Sequence, residues 1–423
     1  MARMWLIIAC KAAPEGADTS VQAPTAQAGS RIAWSADLTG DGLGDWLVAA
    51  PGVDGVVYAI SGATLTAAAT LSGPPGEVGI GISGCPDLDG DGQMEAIVGL
   101  PDGNGDQGGF RVFDAPLSGE IDVSAGSLVG GTLHGVRTGW STACNDIDGN
   151  GYADIAVSAP DADGFGLGER SGQIFFYEGA VDGDPTVVGS YTTTFSDAAL
   201  GTEHTLTIDH DLDGDGVADL VVGAPGIDQI FAAPGPFGGS VDNNTTGWTW
   251  DTEVGSGFGT SVALADWSGD GTLDLLGGAP EWRNGTGAVW YVLGPLNAGS
   301  AGHLDAPTMA GNAPGDESGF ALAAPGDLTG DGAVDALVGA PGANDGMGQV
   351  YLLDAIEDRP LALAPVTVRG EVGRFGTELA TDGAGTFAVG APFDGEGVVW
   401  WFGPGLNGSG GTSQALASFS PTL

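Results

Sequence analysis

Six nine-residue runs of aspartate and glycine carry the chemistry this chain can be read for. They are "DLTGDGLGD" (37–45), "DLDGDGQME" (87–95), "DIDGNGYAD" (146–154), "DLDGDGVAD" (211–219), "DWSGDGTLD" (266–274) and "DLTGDGAVD" (327–335). Alternate residues of a tight loop point inward, so positions 1, 3, 5 and 9 can converge on one ion. Position 1 supplies Asp37, Asp87, Asp146, Asp211, Asp266 and Asp327. Position 3 supplies Thr39, Asp89, Asp148, Asp213, Ser268 and Thr329, and position 5 supplies Asp41, Asp91, Asn150, Asp215, Asp270 and Asp331. Position 9 is Asp45, Glu95, Asp154, Asp219, Asp274 and Asp335. Position 7 contributes a backbone carbonyl, from Leu43, Gln93, Tyr152, Val217, Thr272 or Ala333. Positions 4 and 6 are glycine in all six runs, as a sharp turn demands.

Oxygen-only donors with no His or Cys fit a hard divalent cation. Calcium tolerates an irregular shell better than magnesium, so up to six Ca²⁺ ions are expected. The plain alternative is a set of solvated turns, since turns favour Asp and Gly anyway. Charge weighs against it: two carboxylates ~4 Å apart repel by about 4 kcal/mol at an effective dielectric near 20. Thr39, Ser268 and Thr329 make runs one, five and six the weaker ligand sets. An EF-hand is excluded, because no run has a glutamate at position 12 and the flanks read as strands.

The elements that must position these loops repeat with them. Each run is followed by an apolar hexad closing on proline, as in "WLVAAP", "LVVGAP" and "ALVGAP". A seventh hexad, "FAVGAP" (387–392), follows the acid-poor "TDGAGT", where no ion is expected. The seven prolines, from Pro51 to Pro392, lie 50–65 residues apart. Each unit has room for about four short strands. Runs such as "GQIFFYEG" (172–179) and "GQVYLLDA" (348–355) are rich in β-branched and aromatic residues, and no helical stripe appears. The expected fold class is all-β, a seven-bladed β-propeller of four-stranded antiparallel blades with calcium-binding hairpin loops, because one such sheet cannot cover its own faces and seven in a ring can.

The repeats resemble the FG-GAP repeats of the integrin α-subunit β-propeller, with "GFG" (257–259), "RFG" (374–376) and the "GAP" triplets as the matching motifs. The resemblance covers residues 29–423, and the Phe-Gly element is blurred to "RIAW" (31–34), "TGW" (138–140) and "HTL" (204–206). It implies that the face opposite the acidic loops, built from the loops after "GAP" and the inter-blade connections, holds ligand sites. On that face Glu169 with Arg170, and Glu281, Trp282 and Arg283, are the candidate contacts, against the alternative of solvated loops with internal ion pairs.

Residues 1–10, "MARMWLIIAC", resemble the signal and lipobox of bacterial lipoproteins, with Cys10 as the lipidated residue and Lys11 favouring the outer membrane; the alternative is an ordinary start with an incidental cysteine. Residues 11–28 read as a flexible tether and 29–423 as the propeller. Either "TSQALASFS" (412–420) or residues 20–29 could complete the last blade, and the C-terminal segment is the expected one. Cys85 and Cys144 precede two acidic runs at matching positions, as a disulfide or as two buried thiols.

With 55 acids against 10 basic residues and a net charge of −45, the chain repels nucleic acid and anionic lipid, so neither is an expected partner and a membrane enters only through the lipid anchor. The sequence holds no G-x-S-x-G, H-E-x-x-H, Walker A or C-x-x-C motif. "GIGISG" (79–84) and "GNGDQG" (103–108) match a dinucleotide pattern only as a glycine-rich chain does by chance, and the four histidines are scattered. The reading is therefore a non-enzymatic, calcium-binding module, exported to the cell surface, that recognises a protein or glycan. Its rivals are an extracellular enzyme or accessory module of lyase or phospholipase type, and a passive surface scaffold.

Overall fold

The computed structural model describes residues 27–421, apart from 53–54, 75–77, 132–134, 164–169, 180–184, 203–204, 245–246, 298–300, 355–359, 372, 394–396 and 407. The signal and lipobox segment, with Cys10, and most of the tether lie outside the described residues, as does Glu169.

Each apolar hexad forms the second strand of a sheet: Asp45–Ala50, Glu95–Gly99, Asp154–Ala159, Asp219–Ala224, Asp274–Ala279, Asp335–Ala340 and Phe387–Ala391. Every residue of these seven strands is buried. An unbroken apolar run means that both faces of the strand are covered, and the core shows how. Leu47 and Ala49 pack into a cluster shared by blades 1 and 2, with Ile82 and Val98. Their neighbours Trp46, Val48 and Ala50 pack the other way, with Val399 and Trp401 of blade 7. Seven principal clusters of this kind each fill one interface between adjacent blades.

The seven sheets are consecutive along the chain, and each runs strand one to strand four antiparallel outward. The expectation of purely four-stranded blades needs one correction. Four blades gain a fifth, parallel edge strand from the blade that follows. Gly119–Asp122, Gly239–Asp242, Gly302–His303 and Ser409–Gly411 add to the outer strands of blades 1, 3, 4 and 6. The segment between a unit's third and fourth strands is long enough there to reach back across the interface and cover the edge.

The ring closes without exchange of a terminal strand. Blade 7 takes its outer strand from Ala417–Phe419, which pairs with Val398–Phe402. The N-terminal end instead makes the contact an inter-blade connection makes elsewhere: Ala28 bridges Gly397 as Thr138 bridges Gly108 and Phe375 bridges Gly348. Arg31 of blade 1 pairs with Glu378 of blade 7 at 3.7 Å, and Trp46 meets Trp401 edge-on at 6.4 Å.

The signature glycines explain themselves in this geometry. Gly29, Gly79, Gly139, Gly201, Gly259, Gly319 and Gly376 all have φ between 74° and 97°. Each donates its N–H to a carbonyl of its own blade's second strand at 2.9–3.2 Å. Their own carbonyls press on the preceding blade. A Cβ on Gly99, Gly223, Gly278, Gly339 or Gly390 would lie 2.0–2.2 Å from the carbonyl oxygen of Gly139, Gly259, Gly319, Gly376 or Gly29 in turn. The glycine of the Phe-Gly pair is thus present in all seven units and only its aromatic partner varies. In units one and four it is Gly29 and Gly201, just ahead of the segments where the sequence pattern blurred.

Candidate metal centres and the opposite face

Strand one leads into each acidic run and strand two leads away, so antiparallel order puts all six runs on one face. The loops after the prolines and the inter-blade connections fall on the other. Within a run the backbone N–H groups converge on the carboxylates. In blade 4, Asp211 accepts from Gly214 and Gly216 at 2.6 and 2.8 Å, and Asp215 accepts from Val217 at 2.8 Å. These backbone donors hold the Asp211 carboxyl below the ordinary aspartate range, Gly216 foremost. Backbone N–H groups donate in the same way to Asp37, Asp87, Asp146, Asp266 and Asp327, at 2.6–2.7 Å, in the other five runs.

Position 9 behaves differently from the other acids. Asp219 is buried, accepting from Leu212 at 2.6 Å through one oxygen and from Gly235 at 2.8 Å through the other. Gly235 follows the third strand, so this carboxylate ties the loop to the hairpin beyond it. Asp45 with Gly62, Asp154 with Gly179 and Asp274 with Gly294 repeat the device. Burial raises the pKa of Asp45, Asp219 and Asp335, and pushes Asp154 up to about 6 with Asp148 and Asp146 adding to it. This pinning role escaped the sequence reading, although the glycine after the third strand was a visible signal.

Three of the six runs bring three carboxylates within 4.8 Å of one another: Asp87, Asp89 and Asp91; Asp146, Asp148 and Asp154; and Asp211, Asp213 and Asp219. These are the three runs with aspartate at position 3. In blade 1, Asp41 is engaged instead by the Ser61 hydroxyl at 2.5 Å, which lowers its pKa, and Thr329 of blade 6 donates to Asp335 at 3.2 Å. In blade 5, Asp274 accepts the Tyr291 hydroxyl at 2.8 Å. The shortened seventh loop is a turn in which Asp382 accepts from Ala384 and Thr386, both at 2.8 Å.

Blade 2 adds a signal of its own. Glu95 is 1% exposed; its Oε2 accepts from Leu88 at 2.7 Å, and its Oε1 is buried with no hydrogen-bond partner among the described residues. Burial pushes this carboxyl up to about 8, and Asp89, Asp87 and Asp91 add to it. A buried carboxylate oxygen left unpaired beside three acids is costly unless something positive compensates it.

The opposite face carries most of the positive charge. Of the seven arginines within the described residues, all but Arg111 lie there. Several clamp neighbouring blades: Arg137 reaches Asp102 at 3.2 Å and Asp161 at 3.8 Å, and Arg374 pairs with Glu317. Arg170 pairs with Asp161 at 2.8 Å, a partner the sequence did not suggest. The segment Glu281–Arg283 also requires correction. Trp282 is 4% exposed, packed among Trp250, Phe258 and Trp290 with its indole N–H donated to Glu253, so it is a core residue and not a contact surface. Arg283 is exposed and lies over the Trp282 ring at 4.1 Å. Its φ of 48° is a left-handed conformation that this loop imposes on a non-glycine residue. Cys85 and Cys144 are joined as a disulfide between the innermost strands of blades 2 and 3, Cα to Cα 5.2 Å.

Comparison with known proteins agrees with the geometry. The FG-GAP repeat model matches residues 138–177 and 258–292. Mouse integrin alpha-3 is 34% identical over 140 residues, 32% of this chain and 12% of that protein. Integrin alpha-5 of Xenopus laevis is 33% identical over 193 residues, 38% of this chain and 18% of that protein. Human integrin alpha-7 is 41% identical over 100 residues, 23% of this chain and 8% of that protein. The chain therefore matches less than a fifth of the length of these relatives.

Proposed function

From a chain that carries FG-GAP repeats on a propeller resembling that of integrin α-subunits, we propose a calcium-stabilised, non-catalytic recognition module that binds a protein or glycan at the cell surface. The observation that carries the cation half is the buried Glu95 Oε1, without a hydrogen-bond partner among the described residues, in the same run as the triad of Asp87, Asp89 and Asp91. In blade 2 these four acids and the Gln93 carbonyl would hold the ion. The equivalent residues of blades 3 and 4 would hold two more, and blades 1, 5 and 6 would bind more weakly for lack of a third close carboxylate. Bound calcium would neutralise like charges and stabilise the loops by mass action.

The recognition half rests on the separation of the two faces. With the acidic runs on one side, the connecting loops of the other carry the exposed Arg283, placed to meet a partner. That the matched relatives are integrin subunits supports an adhesive role of this kind. The disulfide suits an oxidising compartment, which supports export, and lipidation at Cys10 belongs to the same proposal.

The test has two arms. Metal analysis of the full chain after dialysis, with unfolding followed in calcium and in EDTA, should find bound calcium and a clear gain in stability; no metal and no gain would end the cation reading. The immobilised chain is then screened against a glycan array and a panel of extracellular proteins, with Arg283→Ala alongside. Selective binding weakened at least tenfold by the substitution is expected, and no selective binding on either panel would favour a passive scaffold.

A further inference from the structure

We propose that the Cys85–Cys144 disulfide and the cation sites of blades 2 and 3 form one coupled unit, in which bound calcium and the oxidised bond stabilise each other. The inference rests on the cation reading above and adds its regulation.

Cys85 ends the first strand of blade 2 and lies two residues before Asp87; Cys144 lies two residues before Asp146. The bond thus joins the last residue of one strand to the penultimate residue of the other, each two residues before the first aspartate of a carboxylate triad. Between the two loops the contact continues through the backbone. The Asp87 carbonyl accepts the N–H of Ala153 at 3.0 Å, one residue before the buried Asp154. A Cβ on Gly179, whose N–H binds Asp154, would lie 2.6 Å from the Leu88 carbonyl oxygen. Behind the bond, Ser83 and Thr142 share a hydroxyl hydrogen bond at 3.0 Å, and both cysteines are buried. Blade 4 has the third triad and no such bond, which makes it an internal control.

The coupling follows from charge and chain freedom. Empty, each triad repels within its own loop and pushes against the backbone arrangement that the disulfide and the Ala153–Asp87 bond hold together. A cation in each loop removes the repulsion, so the closed bond costs less when the sites are filled. Conversely, the bond fixes the first residue of each ligand set, so less freedom is lost when a cation binds. Linkage makes the two effects equal: the factor by which oxidation tightens binding is the factor by which binding favours oxidation.

Reduction by dithiothreitol proceeds by thiolate attack on one sulfur, a mixed disulfide, and ring closure to cyclic oxidised dithiothreitol, leaving both cysteines as thiols. The full chain is equilibrated over a range of reduced to oxidised dithiothreitol, in saturating calcium and in EDTA, then alkylated and scored by mass spectrometry. Calcium titrations are run on the oxidised and reduced chain by calorimetry. Calcium should shift the redox equilibrium about tenfold towards the disulfide, and reduction should weaken two sites by factors whose product is that same tenfold, about threefold each if shared equally, while leaving the rest unchanged. Asp213→Asn, in blade 4, should lower the calcium stoichiometry without altering the redox shift.

If calcium binds identically to both forms and the redox equilibrium ignores it, the coupling is wrong while the cation sites stand. If neither form takes up calcium, the cation reading itself fails. A redox shift that survives Asp89→Asn with Asp148→Asn would show that calcium acts elsewhere, and would also overturn the proposal.

Discussion

Asp213 and Asp219 lie six residues apart in one loop and share a carboxylate triad, but only Asp219 is also a structural pin. Asp219 is a pin. Replacing it with alanine removes charge-assisted bonds from Leu212 at 2.6 Å and Gly235 at 2.8 Å and leaves those half-buried N–H groups without their acceptor. At ~1.5–3 kcal/mol per bond to a charged group, the expected loss is roughly 3–5 kcal/mol in EDTA, and more in calcium because Asp219 also belongs to the ligand set. Asp213 is a ligand. Among the described residues its carboxylate accepts only from Asp215 at 3.1 Å, at the surface, and it adds like charge to Asp211 and Asp219 within 4.8 Å. Each such pair repels by about 3 kcal/mol at an effective dielectric near 20, before water screens it. In EDTA, Asp213→Ala should therefore leave stability unchanged or raised; in calcium at a hundred times the dissociation constant it should forfeit about 2.7 kcal/mol. Urea unfolding of both variants, followed by tryptophan fluorescence in EDTA and in calcium, separates the two roles. The reasoning is refuted if Asp219→Ala costs under about 1 kcal/mol in EDTA, or if Asp213→Ala loses the same amount in both conditions.

Three further outcomes are expected. Gly390→Ala places a Cβ 2.1 Å from the Gly29 carbonyl at the closing interface and should destabilise by about 1–3 kcal/mol, with faster hydrogen exchange at blades 1 and 7 than at blade 4; uniform exchange would count against it. Trp282→Ala should cost about 3–5 kcal/mol as a core deletion, read by denaturant unfolding, whereas Arg283→Ala should leave stability within about 0.5 kcal/mol. His303 on the parallel edge strand of blade 4 bonds Asp251 at 2.5 Å, and that bond raises its pKa above the ordinary 6.5. The contact's contribution is then complete below pH 6.5 and fades as pH rises through the raised value. Protection of the Leu304 amide, corrected for intrinsic exchange, should fall over that window, and should be flat in His303→Gln.

Much of this molecule was legible because its repeats are short and their signals local. Acidic run, apolar hexad and proline recur in register, and each hexad is apolar throughout because a blade's second strand is covered on both sides. That alone fixed the number of blades, the order of strands and the face on which the acids gather. Tertiary structure decided what depends on neighbours far along the chain. Position 9 emerged as a buried pin because its partner glycine belongs to the next hairpin. Trp282 turned inward because Trp250 and Trp290 form a pocket that only the packed blades create. Four fifth strands, the disulfide and the closing Arg31–Glu378 contact join residues from different units, and a periodic sequence specifies each unit without stating which surfaces meet.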